Sequence, residues 1–314
     1  MREVKFGVIG VGFWGRNQAR VLSGLKGANL VAVCDVDRVR AKSVGEKYGV
    51  SWYTENGGLL RRDDVDAVCI CTPTITHHRI ALEAIEAGKH VLVEKPMAES
   101  PKEAEEILGA AEQKGVYLMT GFIERFNPGV QKVKKLIDDG VLGKVVLAFA
   151  RRVGRWPERV GDIGVVKDSA IHDIDIMRFL FEEDVASVYA RAGSLGHKLE
   201  DYAQIILGFS GNRTAFVEAN WLTPRKVRML TVTGTDAIAA VDYVTQEITI
   251  SNAEKSVTPN FKWEEPLMLE LRHFTESIMS GRNPDVTGLD GLKALEVAEA
   301  ALKSARTGEK VMLA

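Results

Sequence analysis

Within residues 4–35, VKFGVIGVGFWGRNQARVLSGLKGANLVAVCD, a short apolar run is broken by three glycines, and this order constrains the fold more than any other feature of the chain. Residues 4–9 have the length and β-branched content of a buried strand. Gly10, Gly12 and Gly15 follow in the spacing G-x-G-x-x-G. Residues 16–25 then read as an amphipathic helix, and residues 30–34 as a second apolar strand running into Asp35. Isolated glycines mark many ordinary turns. Strand, glycine turn, helix, strand and acid in succession form the dinucleotide-binding fingerprint. In that geometry Gly10 permits the tight turn, Gly12 lets a pyrophosphate approach the backbone, and Gly15 lets helix pack on strand. Phe13 and Trp14 lie in the same turn, where N–H groups and the helix dipole would hold phosphates. Asp35, 20 residues beyond Gly15, is placed to accept from a ribose 2′-hydroxyl. Its charge would repel a 2′-phosphate, so the pattern selects NAD over NADP.

The alternation continues to about residue 123. Residues 51–54, 67–71, 91–93 and 117–122 read as strands, and 78–87 and 101–114 as helices. Ser100 and Pro101 mark a helix start, and Gly88 and Gly115 mark helix ends. Regular β-α alternation implies a doubly wound parallel sheet with helices on both faces. The rhythm then changes. A helix at 130–138, a strand at 144–153, a loop at 154–164 and a helix at 168–181 come first. Strands at 185–192, 202–209, 214–221, 227–233, 237–242 and 246–251 follow, joined by short turns such as Ser210-Gly211-Asn212. That succession predicts a largely antiparallel sheet. Helices at 267–280 and 290–305 close the chain, the second with an apolar stripe of Leu292, Leu295, Ala298 and Leu302. The expected fold is α/β: a Rossmann domain over residues 1–122, then an α+β domain over 123–314 with a large open, mostly antiparallel sheet.

The length of 314 residues suits two domains with sizeable cores. A net charge of −2 gives no electrostatic case for nucleic acid or an anionic membrane. No apolar run approaches the roughly 20 residues of a membrane span, and residues 1–10 read as a strand rather than a signal peptide. Cys34, Cys69 and Cys71 all fall in predicted buried strands. No further ligands stand near Cys69-x-Cys71 at a metal-binding spacing, so no metal is expected, and buried thiols fit a reducing cytoplasm.

Two further stretches bear on chemistry. Thr72-Pro73-Thr74-Ile75-Thr76-His77 and Glu94-Lys95-Pro96 both lie just past strand carboxyl ends, the ligand-binding edge of an open α/β sheet. Thr72, Pro73, His77, Glu94 and Lys95 are therefore candidates for the cofactor side. Lys95 could hydrogen-bond a substrate hydroxyl, or could form a solvated pair with Glu94 that caps the strand. Asp168, His172 and Asp175 stand at i, i+4 and i+7, which makes one stripe on a helix. Ile171, Ile174, Ile176, Met177, Phe179, Leu180 and Phe181 make the rest of that helix apolar. A polar stripe on a buried helix must face a partner or a cavity. It could bind a divalent metal, act as a base with an orienting acid in hydride transfer from an alcohol, or be an internal Asp–His pair. The remaining ligands of a metal site are not evident.

Together GVIGVGFWG, CDVD, TPTITHH, EKP, DSAIHDID and the closing SARTGEKVML resemble, over nearly the whole length, the glucose–fructose oxidoreductase / inositol dehydrogenase family of NAD(P)-dependent sugar dehydrogenases. The resemblance implies Lys95, Asp168 and His172 as catalytic residues and Asp175 as a further acid of the signature. Ala170 replaces a glycine found in many members. Within the family, GFIERFNPGV, RRVGRWPERVGDIGVVKD and ANWLTPRKVR are most similar to UDP-N-acetylglucosamine 3-dehydrogenases and related nucleotide-sugar oxidases. On that likeness Arg125, Asn127, Arg152, Arg155, Trp156, Asp175 and Trp221 bind the substrate: Arg125, Arg151, Arg152, Arg155 and Arg159 offer guanidinium forks for a diphosphate, and Trp156 or Trp221 a stacking surface for uracil. Each arginine taken singly reads equally well as surface solvation.

The expectation is a cytoplasmic, NAD-dependent enzyme oxidising a secondary sugar hydroxyl, the 3-OH of a UDP-N-acetylhexosamine. A dehydrogenase of free sugars or inositol-like polyols, and a non-catalytic NAD sensor, are the alternatives. The joint presence of Lys95, Asp168 and His172 argues against the sensor. The resemblance also implies homodimers or homotetramers formed through the broad sheet, whose exposed face needs a cover.

Overall fold

The computed structural model describes residues 3–157, 161–260 and 262–313, which form two compact units. Arg159 lies outside the described residues.

The first unit comprises the described residues through Phe122 together with Leu267–Leu292. Its elements are β1 (Val4–Ile9), α1 (Phe13–Leu22), β2 (Ala28–Cys34), α2 (Arg38–Tyr48), β3 (Ser51–Tyr53), α3 (Asn56–Leu60), β4 (Ala67–Ile70), α4 (His77–Glu86), β5 (His90–Glu94), α5 (Pro101–Lys114) and β6 (Leu118–Gly121). The strands pair in the order β3-β2-β1-β4-β5-β6, all parallel. Strand order reverses between β1 and β4, the topological switch point at which such sheets bind ligands. Every residue of β4 is buried, as a strand covered on both faces must be. Cys71 stands just past its end and is only partly buried, a correction to the strand expected there. The helix α5 forms as its caps require: Ser100 accepts from the N–H of Glu103 at 3.3 Å, Pro101 occupies the first turn, and Gly115 closes it at φ +69°. Residues 267–292, expected in the second domain, cluster instead with this sheet. The physical reason is visible in the helix Pro266–Ser280, whose buried Phe274 ring lies 6.1 Å from that of Phe6.

The second unit comprises Ile123–Pro266 and the described residues from Lys293 on. It contains α6 (Pro128–Asp138), β7 (Val145–Arg155), α7 (Ile171–Phe181), β8 (Ser187–Gly193), β9 (Tyr202–Gly208), β10 (Thr214–Asn220), β11 (Leu222–Gly234), β12 (Ile238–Asp242), β13 (Ile248–Ser251), β14 (Ser256–Val257) and β15 (Val311–Met312). Nine strands pair in the order β14-β13-β12-β11-β7-β10-β9-β8-β15, antiparallel except for β7 with β10. Period-2 alternation sends Ala203, Ile205, Leu207, Ala215, Val217 and Ala219 inward. Leu147, Phe149, Tyr202, Ile206 and Met229 stay exposed on strands of the same sheet. Serine tethers the sheet's edge region: Ser304 accepts from the N–H of Ala190 at 2.9 Å.

Candidate active site

The first unit's candidate residues gather around the glycine turn after β1. Gly10 sits at φ +84°, where a side chain is strained, and a Cβ there would meet the Cys71 carbonyl carbon at 2.8 Å. A Cβ at Gly15 would lie 1.8 Å from the Gly10 carbonyl oxygen, so only glycine lets α1 pack this close to the turn. Gly12 is different. Its Cβ would meet only Arg40, at 3.9 Å, so space lies open above it. Gly12 also brings no side-chain cap to α1, which leaves first-turn N–H groups available to an anion. Phe13 is exposed and stands edge-on to Trp14, with ring centroids 5.6 Å apart. Asp35 is buried, accepting from the N–H of Val11 at 2.9 Å and of Asp37 at 2.9 Å. Arg40 reaches Asp35 at 3.4 Å and Asp37 at 3.2 Å. Open backbone, a helix N-terminus and an anchored acid at the end of β2 fit a dinucleotide with its pyrophosphate over Gly12 and its ribose at Asp35.

The segments after β4 and β5 belong to the same unit. The buried His77 ring fastens one to the other, with Nδ1 2.8 Å from the Pro96 carbonyl and Nε2 2.9 Å from that of Thr72. The sequence reading put His77 against the cofactor; its ring serves as a strut between two loops. Thr76 braces the first loop at 2.7 Å from Thr72 Oγ1, and Pro73 is exposed. Gln18 donates to Glu94 at 2.8 Å, so this acid supports α1 from the end of β5. Lys95, the next residue, is 8% exposed.

The second unit holds its own group of candidate residues. A wide π-turn, Val166–Ala170, leads into α7 and carries Asp168, so 168–172 is not the uniform α-helical spacing expected. Asp168 is buried and accepts from Ser169 Oγ at 3.1 Å, and Ser169 Oγ accepts from the Trp221 indole N–H at 3.2 Å. His172 stands half-buried in the first turn of α7. The acids that follow are committed to internal pairs. Arg125 grips the fully buried Asp175 with two bonds, Nε to Oδ2 at 2.7 Å and Nη2 to Oδ1 at 2.6 Å. Arg152 holds Asp173 at 2.7 Å and Glu124 at 2.8 Å, and the Tyr243 hydroxyl donates to Asp173 at 2.9 Å. Burial pushes the Glu124 carboxyl up, but Arg152 and Arg228 outweigh it and hold it below its usual range. Burial likewise pushes the Arg152 guanidinium down, and Asp173 and Glu124 more than reverse it.

These contacts correct several expectations. Arg125, Arg152 and Asp175 form the unit's buried charge network, so the two arginine forks face carboxylates instead of a diphosphate. Asn127 is the N-cap of α6: it accepts from the N–H of Gly129 at 3.0 Å and donates to the Tyr243 carbonyl at 2.9 Å. Trp221 is buried with its N–H committed to Ser169, and Trp156 is stacked on His197 at 3.3 Å with its other contact edge-on to Trp221. His197 thus covers one face of the Trp156 ring, and the buried Trp221 is not free to stack on uracil. Arg151 lies 3.0 Å from Glu218, and Arg155, exposed, donates to the Pro224 carbonyl at 3.1 Å. Ser169, Glu124 and Tyr243 were missed. Ser169 lies inside the DSAIHDID signature, next to Asp168, and that adjacency was the available cue. Among the described residues no cluster of His, Cys, Asp and Glu forms a metal site, and no helix is long and apolar enough to cross a membrane.

Comparison with known proteins identifies the family. Residues 4–122 match the model described as oxidoreductase family, NAD-binding Rossmann fold, and residues 130–240 match the GFO/IDH/MocA C-terminal domain. The scyllo-inositol 2-dehydrogenase (NAD(+)) of Bacillus subtilis is 31% identical, across 99% of this chain and 96% of its own length. Inositol 2-dehydrogenase of Rhizobium meliloti is 30% identical, across 99% of both chains. Among solved structures, UDP-N-acetylglucosamine 3-dehydrogenase from Acidithiobacillus ferrooxidans has a TM-score of 0.89 at 26% identity, covering 98% of this chain and 100% of that one. With both family domains matched and the dinucleotide cradle in place, the chain belongs to the GFO/IDH/MocA oxidoreductase family and is an NAD-dependent oxidoreductase.

Proposed function

We propose that the chain oxidises a secondary hydroxyl on a sugar or polyol ring. The observation that carries this reading is Asp168, a buried carboxylate supported by Ser169 and leading into His172, on a helix otherwise apolar or committed to arginine pairs. NAD supplies the hydride acceptor. His172 takes the hydroxyl proton, Asp168 orients the imidazole, and Lys95 stabilises the oxygen as negative charge develops. A positioned base contributes on the order of 10²–10⁴-fold.

Two substrate classes have specific support. Free ring polyols are favoured by the inositol dehydrogenases among the relatives and by the inward-facing forks of Arg125 and Arg152. A nucleotide sugar, a UDP-N-acetylhexosamine oxidised at its 3-OH, is favoured by likeness to the Acidithiobacillus enzyme and by the exposed Arg155. The test is NADH formation with scyllo-inositol, myo-inositol, N-acetylglucosamine and UDP-N-acetylglucosamine. Turnover of one or more is expected, and its loss in Lys95→Ala and His172→Ala with NAD binding retained. Near-normal turnover in both variants would refute the site assignment.

A further inference from the structure

β7 and β11 run antiparallel with Arg228 directly opposite Arg152. The two guanidiniums are not equally provided for. Arg152 is buried against Asp173 and Glu124, whereas Arg228, with its side chain 37% exposed, reaches Glu124 Oε1 at 3.5 Å, the same oxygen that Arg152 holds at 2.8 Å. One carboxylate oxygen thus serves two cations. Lys226 stands two residues earlier, in the stretch where β11 breaks register between Leu222 and Val227. Its backbone runs beside the end of β7: a methyl placed on Gly154 would lie 3.7 Å from Lys226 Cα. Arg155, next along β7, donates to the carbonyl of Pro224 at 3.1 Å, and strand alternation sends it to the face opposite that of Arg152, away from Arg228.

The crowding has an electrostatic signature. Arg228 beside it, together with partial burial, pushes the Lys226 ammonium below its usual range. Burial and Arg152 do the same to Arg228, while Glu124, Asp173 and Asp168 oppose the shift. Geometry ties the start of β11 to the proposed active-site acid: Trp221, the residue before this strand, donates its indole N–H to Ser169 Oγ, which in turn donates to Asp168. Like charges held together at these strand ends are relieved by a bound anion, and oxyanions are the natural match for lysine and arginine donors.

We propose that Lys226 and Arg228 form a phosphoryl-binding lip on β11, whose start is tied to Asp168 through Trp221 and Ser169, so that the sugar this chain oxidises carries a phosphate or diphosphate. The inference rests on the sugar-oxidation reading of the same site. A phosphoryl group suits the arrangement better than one carboxylate does, because its several oxygens and multiple charge can engage both cations at once. A sugar phosphate and a nucleoside diphosphate sugar share that chemistry.

Calorimetric titration of the NAD-loaded full chain with two ligand pairs tests it: uridine against UDP, and N-acetylglucosamine against its 1-phosphate. In one or both pairs the phosphorylated member binds about tenfold more tightly, the scale of a charge-assisted hydrogen bond. Lys226→Met removes most of that preference with the melting temperature unchanged. Arg228→Met does the same, but it also disturbs Glu124, so the exposed Lys226 is the decisive position. A preference confined to UDP assigns a nucleotide sugar, and one confined to the 1-phosphate assigns a sugar phosphate. Equal binding within both pairs, or an undiminished preference in Lys226→Met, overturns the lip. NADH formation is scored separately. Neutral polyols turned over without phosphate preference defeat the lip alone, and a lip that binds phosphate with no sugar oxidised defeats the dehydrogenase reading.

Discussion

The three glycines of the turn make different demands, and two alanine substitutions separate them. At Gly15 the new methyl would stand 1.8 Å from the Gly10 carbonyl oxygen and 2.9 Å from its carbon. Carbon–oxygen contacts of this kind normally need about 3.3 Å, so something must move by roughly 1.5 Å. No flexible side chain can give way, because the obstacle is backbone, and Gly10 is itself tied to the Cys34 carbonyl at 2.8 Å. Overpacking a rigid core costs about 1–3 kcal/mol and sometimes more. Gly15→Ala belongs at the upper end, and about 3 kcal/mol in a unit of this size corresponds to a melting shift of roughly 6–12 °C. At Gly12 the methyl would meet only Arg40, at 3.9 Å. Folding should lose far less to Gly12→Ala than to Gly15→Ala, because no backbone atom stands in the way of the new methyl. The same methyl, however, fills the space through which a pyrophosphate reaches the backbone, so NAD affinity should fall by about tenfold or more. Thermal melts without NAD and fluorescence titration with NADH read the two effects independently. The reasoning is refuted if Gly15→Ala melts with the parent, or if Gly12→Ala binds NADH with parental affinity.

Other consequences are open to similar tests. Asp35→Ala removes the carboxylate that faces Arg40 at 3.4 Å and frees that guanidinium for a 2′-phosphate, so the NADP-to-NAD affinity ratio should rise by about tenfold or more. An unchanged ratio would deny Asp35 its discriminating role. Arg152→Ala strands Asp173 and Glu124 in the interior and should cost about 3–5 kcal/mol in urea unfolding; a loss below about 1 kcal/mol would show the network to be dispensable. Because the folded Glu124 carboxyl is held below its ordinary value of 4.5, it adds stability above that pH and surrenders it as pH falls through the folded value. The acid limb of the stability profile should therefore be shallower in Glu124→Gln, and an identical limb would contradict the assignment. On the sheet's exposed face Phe149 stacks on Phe216 at 5.4 Å; if that face pairs between copies, Phe149→Arg should lower the mass seen by light scattering, and a monomeric parent would end the idea.

What the sequence reveals here depends on how far apart the interacting residues lie. The glycine turn, the Ser100–Pro101 start of α5 and its Gly115 end are legible because each cause acts within a few residues. Helix α2 carries equally local marks, the Asp37 cap and Gly49 at φ +66°, but only Ala41, Val44 and Gly45 of its residues are buried, too faint a stripe for hydrophobic period to find. Charge is harder. Arg125 finds Asp175 50 positions away and Arg152 finds Asp173 21 positions away, so a chain read linearly shows arginines near an acid-rich signature and suggests a ligand between them. The fold supplies the opposite answer by closing those pairs inside the unit. Arg228 shows the same limitation from the other side: nothing in PRKVR ranks it above its neighbours, yet sheet register sets it against an already satisfied arginine and so leaves it the shared oxygen of Glu124. Whether a cation is structural or free to meet a substrate is decided by where the nearest carboxylate lies in space. For this chain, that is fixed by the pairing of β7 with β11 and by the docking of α7, not by the identity of the arginines themselves.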